Sequence, residues 1–175
     1  LNMAGRSTAS GFYLYGNDAE NLISRPKEIY DGAVPSGNSV AALNLLKLAR
    51  LTGDPELEEK SRKQLTAFGG SVAESPSSHT HFLTAVWLDQ TPPIDVTVVG
   101  DPEATDTREL LSVINRRFMP EATVILKPPE KDGEHLSQII PALRDKEAID
   151  GKATVYVCKN YSCQPPATTG GKLDQ

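Results

Sequence analysis

One stretch concentrates the residue types that could bind a polar ligand. Residues 30–39 read YDGAVPSGNS, so Asp31, Ser36 and Asn38 bring a carboxylate, a hydroxyl and an amide close together in the chain. An apolar run follows, which would place these groups at the positive end of a helix, where polar and anionic ligands bind. The same residue types also cap helix starts. The stretch therefore predicts either a turn and helix cap or the wall of a binding site.

Aromatic and charged residues lie just upstream of this stretch. Tyr13 belongs to the run GFYLYG, and Arg25 begins RPKEIYDG. Aromatic side chains with a few polar groups are typical of small-molecule sites, and aromatic faces suit the C–H faces of sugar rings. We therefore count Tyr13 and Arg25 with Asp31, Ser36 and Asn38 as candidate residues for binding a carbohydrate-like ligand. Exposed hairpin residues would give the same pattern.

The other reactive residue types make no complete site. Cys158 and Cys163 have four residues between them, whereas thioredoxin-type motifs have two, and two cysteines cannot complete a zinc site. Two reduced thiols are favoured over a reversible disulfide. His79 and His81 would not face each other on a helix, which favours capping and solvent exposure over a shared metal. We expect no metal and no cofactor.

Composition sets the broad class. The 175 residues carry a net charge of −5, which argues against nucleic-acid binding. No run of 18 apolar residues is present, so a membrane span is not expected, and the first residues do not resemble a secretory signal. With two cysteines, a cytoplasmic location is expected.

Helices must position the candidate residues in the first half. A short β-hairpin is predicted at residues 12–15 and 22–26, followed by helices at 39–51, 55–68 and 77–88. Short connections predict antiparallel hairpins. The first helix is apolar around nearly its whole circumference, which predicts cover on most sides. Three helices make a thin core, so this region is expected to be a piece of something larger or to need a partner.

The second half alternates strands and helices. Strands are predicted at residues 95–100, 122–128 and 152–158, and helices at 105–118 and 133–146, the latter interrupted at Pro141. This order predicts a three-stranded parallel βαβαβ sheet. The fold class is mixed α and β, with domains at 1–92 (helical hairpins) and 93–163 (α/β) and a loose tail at 164–175.

Two stretches resemble a known family. Residues 11–54 contain the pattern R-P-K-E-x-x-D-G-A-x-P-S-G-N-S, and residues 153–168 read ATVYVCKNYSCQPPAT. Both are similar to the carboxyl-terminal region of YyaL-type, spermatogenesis-associated, thioredoxin-domain-containing proteins. The resemblance covers roughly residues 11–169. It implies a terminal piece of an (α/α) toroid similar to six-hairpin glycosidases, with a short α/β tail and without the family's thioredoxin-like domain.

The resemblance also suggests a function. Toroid relatives act on carbohydrates, and loops at one end of their inner helices line the cavity, where residues 30–39 would lie. The first hypothesis is therefore a carboxyl-terminal region that binds or processes a carbohydrate-like ligand in a carbohydrate-active isomerase or hydrolase and is inactive alone. The alternative is a non-catalytic scaffold or interaction domain. Expected partners are a small carbohydrate-like ligand and either a second copy or the rest of a longer protein.

Overall fold

The chain forms two compact units. The computed structural model describes residues 11–16, 18, 25–160 and 162–170. One unit extends to Gln90 and the other starts at Thr91, whereas the sequence placed the boundary near residue 92. Helices dominate the first unit, and a sheet with two helices makes the second. The predicted mixed α and β class is confirmed.

Three helices build the first unit. They are α1 (Gly37–Thr52), α2 (Pro55–Glu74) and α3 (Thr80–Gln90). Gly53 ends α1 in the left-handed conformation with a φ of 66°, a conformation that glycine adopts without steric cost. Asp54 accepts a hydrogen bond from the Glu56 N–H and so caps α2. Helix α2 continues to residue 74 and not 68, because its apolar positions continue to the buried Val72.

The core of this helical unit is small. It consists of Ala42, Phe68, Val72, Phe82 and Ala85, and the rings of Phe68 and Phe82 meet edge to face with centroids 6.1 Å apart. The expectation that α1 is covered on most sides is confirmed only in part for the described chain. Helices α2 and α3 pack against α1, but Val40 and Leu48 remain 37% and 46% exposed.

The first strand of the β-hairpin predicted at the start of the chain is not formed. Residues 12–15 run as a loop, with one backbone hydrogen bond from Leu14 N to Pro26 O at 3.0 Å. The predicted second strand lies mostly outside the described residues. A side chain explains the difference, because the amide of Asn38 bonds both the N–H and the carbonyl of Phe12, which a strand partner would otherwise use.

A four-stranded sheet organises the second unit. Its strands are β1 (Ile94–Val99), β2 (Ala122–Lys127), β3 (Thr154–Lys159) and β4 (Ser162–Cys163), in the order β2-β1-β3-β4. Helix α4 (Thr105–Asn115) connects β1 to the parallel β2. Helix α5 (Glu130–Ile139) and a 3-10 turn (Pro141–Leu143) precede β3.

The prediction of three parallel strands is wrong, because β3 runs antiparallel to β1. Val99 pairs with Lys127 on one side and with Thr154 on the other. The first residue of β3 therefore lies at the same end of the strands as the last residue of β2. Helix α5 stops two residues before Pro141, because proline cannot continue a helix. Residues 140–153 then lead the chain back to that end of the strands.

One face of the sheet holds the larger apolar core. Val96, Val98 and Val155 pack with Leu110 and Ile114 of α4, as expected for a helix that covers a parallel crossover. Within the described ranges, no helix is long and apolar enough to cross a membrane.

Candidate functional site

Asp31 lies between the starts of two helices. Its carboxylate accepts the N–H of Ser36 at 2.9 Å, just before α1. The other oxygen accepts the N–H groups of His81 and Phe82, in the first turn of α3, at 2.9 and 3.1 Å. Asp31 is 8% exposed. The residue therefore caps α3 from a distance and joins it to the start of α1.

The environment of Asp31 favours its charged form. Burial alone would raise the pKa of this carboxyl group, but hydrogen bonds from the N–H groups of Ser36, Phe82 and His81 and from the Ser39 hydroxyl outweigh burial and lower the pKa below 3.8. The positive ends of two helix dipoles act in the same direction. Asp31 is thus a buried, ionised anchor.

Ser36 completes the cap of α1. Its hydroxyl oxygen accepts the N–H of Ser39 at 3.1 Å, and its O–H donates to the Ser39 hydroxyl at 2.9 Å. Both residues are buried, at 7% and 0% exposure. The cap interpretation of the sequence describes this geometry, and the hydroxyl of Ser36 has no face toward solvent.

Asn38 holds two separate segments on the helices. Its amide nitrogen donates to the carbonyls of Phe12 and Glu28 at 2.9 and 2.7 Å. Its oxygen accepts the Phe12 N–H at 2.7 Å and the Gln64 side chain at 2.9 Å. An amide side chain offers two donor hydrogens and one carbonyl oxygen, and all are used here. We call Asp31, Ser36, Asn38 and Gln64 the polar hub.

Gln64 is the member of the polar hub that sequence reasoning missed. It lies in α2 with 2% exposure and also donates to the backbone carbonyl of Asn38 at 3.1 Å. In the sequence it stands among charged residues, in EEKSRKQLT. Phe68 stands four residues after Gln64, so the two lie on the same face of a helix. This spacing from an apolar residue was the available signal that Gln64 faces inward.

Tyr13 and Arg25 lie apart from these buried groups, on the surface. The Arg25 guanidinium stands 4.3 Å from the centre of the Tyr13 ring, and the Lys27 ammonium stands 4.6 Å from it. Arg25 also donates to the carbonyl of Tyr15 at 3.0 Å. Cations over an aromatic ring attract it electrostatically. The candidate residues therefore divide into a buried trio and an exposed pair.

The histidines take different positions from those expected. His79 is buried at 7% exposure, and its Nδ1 lies 2.7 Å from the carbonyl oxygen of Ser75. His81 is half-buried and meets Asp31 through its backbone. In the part of the chain that the structure describes, no three His, Cys, Asp or Glu side chains are grouped as metal ligands.

The cysteines are joined, so the preference for two reduced thiols is wrong. Cys158 and Cys163 form a disulfide between directly paired positions of β3 and β4, with their Cα atoms 3.9 Å apart. Asn160 takes a positive φ of 49° in the intervening turn, which asparagine tolerates. The four-residue spacing excluded a thioredoxin-type motif but was compatible with a hairpin.

An open cleft of about 420 Å³ in the second unit is lined by Lys127, Glu134, Ser137, Gln138, Arg144 and Glu147. The Lys127 ammonium group donates to the carbonyls of Leu143 and Lys146, both at 2.8 Å. This lysine therefore fastens the 3-10 turn to the end of β2. Its main observed role is structural, and the charges around the cleft are of both signs.

Comparison with known proteins shows similarity to three mammalian relatives that share one name. No family model matches the chain. It is 34% identical to spermatogenesis-associated protein 20 of Rattus norvegicus over 148 residues, which are 85% of this chain and 19% of the relative. The Mus musculus protein is 33% identical over the same shares. The Homo sapiens protein is 33% identical over 82% of this chain and 18% of its own length.

The chain thus spans about one fifth of the length of the curated relatives it matches. The resemblance seen in the sequence is confirmed as homology to spermatogenesis-associated protein 20 over most of the chain. What the resemblance implies about a toroid and about a thioredoxin-like domain stays a prediction.

Proposed function

We propose, from the premise of homology to spermatogenesis-associated protein 20, that the helical unit is a non-catalytic docking layer on which other helices pack. One observation carries the proposal. The polar groups best suited to ligand binding are buried and bonded to protein, whereas apolar side chains of α1 and α3 face outward. Such a unit holds an apolar surface in place.

The outward side chains follow helical spacing. Val40, Asn44 and Leu48 are exposed at four-residue intervals along α1, so they lie on one face. Trp87 of α3 is 44% exposed. Apolar side chains at this spacing are those that pack into a neighbouring helix. Helix α1 therefore offers Val40 and Leu48 on one face, and α3 offers the Trp87 ring.

Helix α2 differs from its two neighbours. Its exposed side chains form ion pairs within the helix, between Lys60 and Glu56 and from Glu59 to Arg62 and Lys63. Charges paired in this way mark a solvated face. The contrast supports a layer with a solvent side on α2 and docking sides on α1 and α3.

In this proposal the three helices are terminal hairpins of an (α/α) toroid, and the packing partner is another hairpin of the same longer protein. The tight Gly53–Asp54 connection and the short link before α3 support antiparallel hairpins. When the neighbouring hairpin is missing, a second copy of the chain is the nearest apolar substitute.

Sedimentation and a fluorescent apolar probe test the proposal. We expect the purified chain to bind anilinonaphthalene sulfonate and to dimerise as its concentration rises, because exposed apolar faces associate. Leu48→Lys and Trp87→Lys should each reduce both signals. Glu58→Lys, on the charged face of α2, is the matched control and should leave them unchanged. A monomer that binds no probe at any concentration would contradict a docking layer.

A carbohydrate-like ligand is the second candidate. The exposed aromatic residues of the first unit favour it, namely Phe12, Tyr13, Tyr15 and Tyr30, with exposures between 41% and 59%. Asn38 fixes the backbone at Phe12 and Glu28, which holds this aromatic loop on the helices. In this version Tyr13 and Arg25 touch the ligand, while Asp31, Ser36 and Asn38 position the loop.

Native mass spectrometry with neutral and phosphorylated sugars tests the second candidate. A bound sugar should be lost in Tyr13→Ala and in Arg25→Ala, while Tyr156→Phe in the second unit should bind as the wild type does. Equal responses in all three variants, or no adduct with any sugar, would leave the docking layer as the function of this unit.

A further inference from the structure

We infer that Cys158 and Cys163 form a thiol–disulfide exchange site that fastens the segment after β3 and releases it on reduction. The two residues pair directly across β3 and β4, with Cα atoms 3.9 Å apart. The bond joins β3 to the edge strand β4, which has only two residues. It therefore stands where the regular pairing of the sheet ends.

The two sulfurs differ in access. Cys158 is 5% exposed, whereas Cys163 belongs to an exposed strand. Thiol–disulfide exchange needs a thiolate to approach one sulfur along the bond, so access decides which sulfur is attacked. A small thiol reaches Cys163 first. Exposed disulfides are the labile and regulatory ones, whereas structural disulfides resist reduction.

The bond fastens a short segment that pairs with β3 at a few positions. Beyond Cys163, the segment meets β3 through a hydrogen bond from Gln164 N to Val157 O at 2.9 Å. Val155 and Ala167 exchange two more, at 2.8 and 3.0 Å. These bonds lie at the edge of the sheet, beyond β3. Because these hydrogen bonds are few and lie at the edge of the sheet, the segment should open readily once the cross-link is removed.

The reaction balances with a dithiol as reductant. A dithiol thiolate attacks Cys163 Sγ, the Cys158–Cys163 bond breaks, and the electron pair leaves on Cys158 Sγ, which takes a proton from solvent. The second thiol of the reagent then attacks the mixed disulfide and releases Cys163 as a thiol. The protein gains two electrons and two protons, and the reagent becomes a cyclic disulfide. A small disulfide such as oxidised glutathione reverses the change.

Hydrogen exchange with and without dithiothreitol tests the inference on the full chain. Dithiothreitol should reduce the bond without denaturant, which alkylation and mass measurement detect as two labelled thiols. Amide exchange in residues 162–167 should then rise by about tenfold or more, because closing a short loop favours the fastened state by at least that order. Exchange in β1 and β2 should stay unchanged.

The double variant Cys158→Ser/Cys163→Ser separates reduction from other effects of the reagent. Its segment 162–167 should exchange as fast as that of the reduced wild type, with or without dithiothreitol. If this variant fails to fold, the wild-type comparison still decides. A bond that resists dithiothreitol until denaturant is added would overturn the inference. So would reduction that leaves exchange in residues 162–167 unchanged.

Discussion

Different interactions stabilise the interiors of the two units of this chain. In the helical unit a small apolar core is supplemented by the polar hub, in which Asp31 and Asn38 alone bond five backbone positions outside α1 and α2. In the α/β unit, valines of the sheet pack on α4. A loop rich in polar residues can therefore stabilise a fold through hydrogen bonds, whereas the sheet is stabilised mainly by the burial of apolar side chains.

The units also differ in the apolar surface that they leave open. The helical unit exposes residues of two helices and of an aromatic loop, whereas the described part of the α/β unit exposes Phe118, Val124 and Ile139 among its large apolar side chains. The difference supports docking through the first unit. The second unit contributes a redox-sensitive edge.

Asn38→Ala should have the largest effect. It removes the side-chain partner of backbone groups of Phe12 and Glu28 in part-buried bonds, and one of the two acceptors of the buried Gln64 side chain. The loss of these bonds should lower the free energy of unfolding by about 3–5 kcal/mol. Urea denaturation followed by the fluorescence of Trp87, the single tryptophan, reports on this unit. Asn44→Ala, exposed on the same helix, is the control and should change stability by less than about 0.5 kcal/mol. Equal effects of both variants would mean that the polar hub does not stabilise the first unit.

Asp31→Asn should have the next largest effect, and it should depend on pH. At pH 7 we expect a loss of about 2–3 kcal/mol, because the charged acceptor of buried N–H groups is replaced. The folded pKa of Asp31 lies below its unfolded value, so its contribution is fully present above the unfolded pKa of about 3.9 and is lost as pH falls through the folded pKa. Urea titrations at several pH values should show wild type and variant converging in acid. A difference that stays constant down to low pH would contradict the ionised anchor.

Asp106→Asn provides the comparison in the α/β unit. The N–H of Ala153 donates to its carboxylate at 2.8 Å and, with the Thr107 N–H, lowers the pKa of Asp106. The sign of the pH dependence is therefore the same as for Asp31. Because Asp106 is exposed, the loss should be smaller than for Asp31→Asn. Thermal unfolding followed by circular dichroism at pH 7 measures it, and a loss larger than that of Asp31→Asn would reverse the comparison.

Leu48→Lys should have the smallest effect on stability. Its side chain is 46% exposed, so the free energy of unfolding should change by less than about 0.5 kcal/mol, while association of the chain weakens. Urea denaturation of the variant below its association range checks this. A loss comparable to that of Asn38→Ala would mean that Leu48 belongs to the core.

Local features of the fold could be read from the sequence. The boundary between the helices predicted at 39–51 and 55–68 agrees with the structure to within one residue. Gly53 ends α1 there, Asp54 caps α2, and Pro55 takes the first helical position. Alternating strand and helix patterns located β1, α4 and β2 within a few residues. The cap interpretation of Ser36 followed from the same local chemistry.

Long-range features could not be read in the same way. The partners of Asp31 lie about fifty positions away, at His81 and Phe82. No local sequence pattern predicts such a pairing. The direction of β3 depends on where the chain returns after Pro141, which a strand and helix pattern does not encode. Pairing of Cys158 with Cys163 depends on the register of a hairpin. Distant parts of the chain decide the first two features, whereas the third depends on the register of one hairpin between residues five positions apart.

Hydrogen exchange of Asn38→Ala beside the wild type tests the central claim most directly. If the polar hub holds the first unit together, amides in residues 11–16 and 25–36 should lose protection in the variant, while those of β1 and β2 keep it. Unchanged protection in residues 11–16 and 25–36 would contradict the claim, since Asn38 would then be dispensable for the loop and free to serve a ligand.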